Sequence, residues 1–306
     1  MPFKLNAYLP SIKQDVQINE LCYKQYRDLV KSLHNIDKKE TILQYNSILK
    51  DLCPGIANID ITFEDKLSLL LTIRNYCVSP DLKLKCNLPD GSVFNFTISI
   101  DTLFNKIKNI NKSGSVVIDG ISVLYSSYKI KDEHVFLSNN KDTFVDIASM
   151  IDIIKTDNQK IVFKDLSLSD RVNIVQSLPT SLIKSVTDDI DIINKRYQDM
   201  ELITIKNPIT EKLVLKINNN ITFDILQKLV EFLFTESLNN IYKTLYNAVK
   251  HIGFSAEYID SITPIELQVY WMYFLQNMAK QQDQNNTTNT GGGLNMPSTP
   301  NSELGF

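Results

Sequence analysis

The stretch that most constrains the fold runs from Ile61 to Phe96, ITFEDKLSLLLTIRNYCVSPDLKLKCNLPDGSVFNF. Thr62 has the chemistry of a helix N-cap, and Glu64 and Asp65 place negative charge in the first turn, where the helix dipole favours it. Leu67, Leu70, Leu71 and Ile73 then recur at helical spacing, with Arg74 on the edge of the stripe. Ser79-Pro80-Asp81 stops the helix. Leu82 and Leu84 alternate with Lys83 and Lys85, Pro89-Asp90-Gly91 turns the chain, and Val93 to Ile100 alternates again. The segment reads as helix, strand, turn, strand.

The rest of the chain supplies helices and short hairpins around that unit. Residues 1–18 read as an extended arm, with Pro2 and Pro10 discouraging helix. Helices are expected over residues 19–32 and 37–52. Asp101 to Ile110 reads as a short helix, and Asp119-Gly120 between two apolar runs is a hairpin signal. Residues 80–130 thus offer four strands, enough for one small antiparallel sheet under the Leu67–Arg74 helix. Residues 142–155 read as helix. Leu178-Pro179 separates two more helices, and residues 200–217 read as a second hairpin around Asn207-Pro208. Residues 222–251 are helical with a break near 235–237, and Thr263-Pro264 with Glu266 opens a closing helix. Residues 281–306 are polar, with Gly291 to Gly293, and read as a disordered tail.

The fold class expected is therefore α+β, mostly helical, with small antiparallel β elements at about 80–130 and 200–217. The chain divides into residues 1–60 (arm and helical prelude), 61–135 (helix plus sheet), 136–200 (helical), 201–280 (hairpin plus closing helices) and 281–306 (tail).

Composition narrows the function class. Of 306 residues, 43% are hydrophobic and 22% charged, a globular balance. The formal net charge of −3 offers no basic face for nucleic acid. No run reaches eighteen apolar residues and the N-terminus has no apolar leader, so no membrane role is expected, and the place expected is cytoplasm or a particle assembled there. Cys22, Cys53, Cys77 and Cys86 form no Cys-x-x-Cys and read as free thiols. Glycine-loop and Gly-x-Ser-x-Gly motifs are missing, and His34, His134 and His251 are scattered. Neither an enzyme nor a metal or organic cofactor is expected.

The order of these elements resembles the baseplate hub proteins of T-even-type contractile-tailed phages. Leu69, Leu71, Ile73, Arg74, Cys77 and Val78 match that family's Leu-Arg helix, and the following strand ends at Cys86. The phrase IVQSLPTSLIKSVTDDI is similar to its Leu-Pro break between helices, and Thr263, Pro264 and Glu266 to its closing helix. The resemblance covers roughly residues 60–280. Many relatives carry a Cys-x-x-Cys turn; here Asn87-Leu88-Pro89 follows Cys86 and no metal is implied. What the resemblance implies is a non-enzymatic hub subunit or hub-assembly factor. It would act in the host cytoplasm during tail assembly or remain in the virion baseplate, with other baseplate or tail proteins as partners. The alternative is a regulatory or adaptor protein of a phage replication complex. Candidate interface residues are Arg74, where the helix meets the strand, and Tyr270, Trp271 and Phe274, which make the closing helix apolar on several sides.

Overall fold

The computed structural model describes residues 4–288 apart from 36, 57–58, 88–90, 92, 138–141 and 235; side chains of 86–87 and 282–288 lie outside the description. The order is β1 (Lys4–Leu9), β2 (Gln14–Asn19), α1 (Tyr23–Leu33), α2 (Lys38–Leu52), α3 (Phe63–Ile73), β3 (Asp81–Asn87), β4 (Val93–Ser99) and α4 (Ile100–Ile107). Then come β5 (Gly114–Ile118), β6 (Ile121–Tyr125), α5 (Thr143–Met150), β7 (Ile151–Lys155), β8 (Lys160–Val162), α6 (Leu168–Ser177) and α7 (Thr180–Gln198). The chain closes with β9 (Glu201–Lys206), β10 (Leu213–Asn218), α8 (Phe223–Phe234), α9 (Leu238–Asn247), α10 (Ala256–Ser261) and α11 (Pro264–Thr288). The fold is α+β, with small antiparallel sheets of two to four strands among helices.

α3 is the axis of the molecule. Thr62 caps it, accepting from Asp65 N while the Asp65 carboxylate accepts from Thr62 N in return. Every residue from Phe63 to Ile73 is buried. The apolar stripe read from the sequence is therefore only part of the buried surface: β1, α4 and α8 pack around the helix on different sides. A helix apolar on one stripe needs one neighbour, whereas a helix buried all round must also satisfy its polar side chains. It does so with remote partners. Lys66 Nζ lies 2.7–2.8 Å from both oxygens of Glu133, Ser68 Oγ donates to the Tyr8 carbonyl, and Asp65 accepts from Ser11 N and Oγ. Asp65 is thus turned to the β1–β2 corner.

The first residues form their own hairpin, with Lys4 to Leu9 paired to Gln14 to Asn19, and bury Ala7, Leu9 and Ile18. The four strands expected in one sheet divide. β3 and β4 pair only with each other, while β5 and β6 join β7 and β8 in a four-stranded sheet of order β5-β6-β7-β8. Asp119 and Gly120 turn β5 into β6 with φ of 50° and 77°. Two consecutive positive φ values belong to the hairpin turn whose twist matches the strands. The helix expected over 142–155 stops at Met150, and Ile151 to Lys155 forms β7, hydrogen-bonded on both sides.

Two apolar cores result. The larger surrounds α3 and draws on both ends of the chain, from Ala7 to Ile110 and from Tyr197 to Leu267. The smaller lies between the four-stranded sheet and α5, α6 and α7, with Val123, Tyr125, Met150, Phe163, Val175 and Leu182 inside. Tyr128 and Ile193 touch both. The break expected near 235–237 separates α8 from α9. Residues 281–288, expected in the tail, continue α11; residues 289–306 lie outside the described residues.

Candidate protein interface

α11 starts from a strong local signal. Thr263 Oγ1 accepts from Glu266 N, and Glu266 Oε2 accepts from Thr263 N at 2.7 Å, a reciprocal cap with Pro264 at the first helical position. Leu267 is buried and roots the helix in the larger core. One residue on, Gln268 Nε2 donates to the Val78 carbonyl of the π turn Arg74–Val78 that follows α3. Beyond this point the body covers little of the helix.

Trp271 and Phe274 stack on each other at 5.3 Å and flank the His251 ring, with centroids 6.4 and 6.2 Å away. Tyr270 meets Phe254 edge-on at 5.1 Å, and its hydroxyl lies 3.4 Å from that of Tyr258. The remaining apolar side chains face solvent: Tyr273 is 60% exposed and Met272 54%, with Leu275 and Met278 close behind. Tyr242, Tyr246 and Val249, on α9 and the π turn Ala248–Ile252, are exposed apolar side chains as well. Single exposed apolar residues are ordinary; a run of them on one helix marks a contact surface.

Arg74 sits at the root of this region. It opens the π turn, and its guanidinium reaches the Asp81 carbonyl at the start of β3 at 3.5 Å. Burial lowers its pKa, while the nearby Tyr26 and Glu236 favour its charge. Glu236 accepts a short hydrogen bond from the Tyr26 hydroxyl, and burial raises its pKa. Arg74 opens the π turn that Gln268 of α11 reaches, whereas the aromatic trio packs on His251, Phe254 and Tyr258. His251, Phe254 and Tyr258, the rings that support the trio, were not legible as such in the sequence; the recurrence of aromatics on both flanks of Gly253 is the one signal that points to them.

A polar cleft of about 270 Å³ lies elsewhere, near the N-terminus of α3 and between the two cores. Its charged walls are paired, Lys112 with Glu64 at 2.9 Å and Lys129 with Asp152 at 2.8 Å. Among the described residues no group of His, Cys, Asp and Glu is placed to hold a metal ion. Burial pushes the Cys53 thiol up to about 12 and that of Cys77 to about 11, so both stay protonated at neutral pH and are poor nucleophiles.

Residues 2–223 match the family model described as T4 bacteriophage base plate protein. The chain belongs to that family. It is a structural protein of a phage tail baseplate. No curated protein and no solved structure matches it. The matched residues end where α8 begins, so α9, α10 and the exposed α11 lie beyond them.

Proposed function

We propose that this baseplate protein is a component of the hub, the central part of the baseplate, and that it works by binding its neighbours rather than by turnover. The observation that carries the reading is α11: a helix rooted in the main core by Leu267 and then exposed with aromatic and aliphatic side chains on several faces. Such a helix is stable in water only at a cost and gains by being covered, because each buried Met, Leu or Tyr side chain contributes roughly 1.5–3 kcal/mol of the kind that large apolar side chains supply. Arg74, Tyr270, Trp271 and Phe274 mark the side on which a neighbour would seat, with Trp271 and Phe274 held in place by His251. Assembly would take place in the host cytoplasm, and the protein would remain with the tail.

The test is mass spectrometry of purified virions beside infected-cell lysate, with affinity capture from the lysate. Near-stoichiometric presence in virions supports a permanent hub component. Abundance in lysate with none in virions makes it a transient assembly factor. A tagged chain that captures no tail protein overturns the reading. Met272→Glu with Leu275→Glu, both exposed, is expected to lose the captured tail proteins without changing the circular dichroism spectrum.

A further inference from the structure

α11 has one long exposed face, which the body touches only at its start, where Tyr270 meets Phe254 and Tyr258 and Glu266 caps Thr263. At about 100° per residue, the side chains sharing the face of Tyr273 are those one and two turns away, and all of them are exposed. Glu266 and Lys280 lie almost in line with Tyr273, seven residues to either side. Val269 and Asn277 are offset by about 40° in opposite directions, and Tyr270 and Gln276 by about 60°. Between the two end charges, Leu267 to Ala279 contains no charged residue.

This pattern is its own complement under a two-fold axis through Tyr273. Laid antiparallel on a second α11, Glu266 of one copy meets Lys280 of the other, twice over. Tyr270 meets the Asn277 amide, which lies on the same flank and which its hydroxyl can bond, and Tyr273 meets its own counterpart on the axis. A parallel arrangement instead sets Glu266 against Glu266 and Lys280 against Lys280, and aligns the helix dipoles unfavourably. Isologous pairing of one patch with itself is the commonest way that like chains associate.

We propose that α11 pairs with α11 of a second copy of this chain, antiparallel about Tyr273. The pairing uses the face of α11 turned away from Trp271 and Phe274 and shares only Tyr270 with the neighbour-binding side, which otherwise stays open. The segment from Glu266 to Lys280 is about 22 Å long, and two such helices bury less than the roughly 1,600 Å² of a standard stable interface. The dimer is therefore reversible, with a dissociation constant in the micromolar range.

Sedimentation velocity of the full chain, from about 1 to about 100 µM, spans that range. The expected result is a concentration-dependent monomer–dimer equilibrium. Lys280→Glu turns two attractions into repulsions and is expected to raise the dissociation constant roughly tenfold. Register is read by oxidative crosslinking. Tyr273→Cys is expected to link to itself, and Glu266→Cys to link only to Lys280→Cys in a mixture. Ile209→Cys, at a position 86% exposed in the β9–β10 turn, sets the rate of random collision, and the wild-type chain that of the native thiols. Crosslinking of Glu266→Cys to itself overturns the antiparallel register. A chain that stays monomeric throughout, with Tyr273→Cys no faster than Ile209→Cys, overturns the proposal. If that monomer still captures tail proteins, the hub reading stands while the self-pairing falls.

Discussion

Lys66 and Glu133 show what a single pair decides in this protein. Their side chains are 1% and 0% exposed, and Gln227 and Asn46 complete the carboxylate's hydrogen bonds at 2.8 and 3.1 Å. Four elements meet there: α2, α3, the turn Ile130–Leu137 and α8. A buried pair adds little net stability over apolar side chains of the same size, yet removing one partner strands the other charge. Glu133→Gln is expected to destabilise the fold by about 3–5 kcal/mol, seen as a lower urea midpoint. Adding Lys66→Met is expected to return more than half of that loss, because no uncompensated ammonium remains. Desolvation already lowers the Lys66 pKa, with Glu133 opposing the shift. In the sequence, Thr62 was legible as a cap and Glu64 and Asp65 as first-turn charges. Their other partners, Lys112 and Ser11, and the pairing of Lys66 with Glu133, lie tens of residues away and carry no local pattern.

Among the elements, β5 to β7 best separate local from non-local causes. The segment 142–155 has helical spacing through Phe144, Ile147, Met150, Ile151 and Ile154. Its second half nevertheless becomes β7, because β6 and β8 offer hydrogen-bonding edges on both sides and the β-branched Ile151, Ile153 and Ile154 suit a pleated surface. The same sheet contains a close approach of a side chain to the backbone. Gly114 stands opposite Tyr125, and the Tyr125 ring lies where a Cβ on Gly114 would be, its hydroxyl reaching Asp189 of α7. Gly114→Ala is expected to displace that ring, break the link to α7 and cost about 1–3 kcal/mol, the usual range for overpacking. Thermal unfolding followed by circular dichroism measures it. The mild substitution Gly55→Ala, where a Cβ meets nothing, is the reference for ordinary effects.

For the whole molecule, the larger core closes the two chain ends on each other, and the smaller core is built from the residues between. Arg27 binds Asp260 through both guanidinium nitrogens, and Tyr23 N donates to the Ile262 carbonyl, so α1 and α10 hold the ends together. The two cores are joined by Arg171 of α6, whose fork grips Asp132 at 2.6 and 2.7 Å, both side chains buried. Arg171→Met leaves Asp132 buried without its partner and is expected to cost about 3–5 kcal/mol. Its signature is regional: hydrogen exchange is expected to quicken first at the amides of β6 and β7, while those of α3 hold, as cooperative units of unequal stability require.

Helix starts, turns and breaks were set by chemistry within a few residues. The Thr62 and Thr263 caps, the Asp119-Gly120 hairpin and the break before α9 could be read along the chain because their causes are local. So could the α+β class and the apolar excess of the closing helix. The family order of motifs rested on the same local features. Which strands share a sheet, which charges are buried, and how much of α11 the body leaves uncovered followed from contacts between residues far apart in sequence. Those depend on how the chain ends close around α3. Burial on every side of that helix is a property of its neighbours, and the exposure of α11 is the property of having too few.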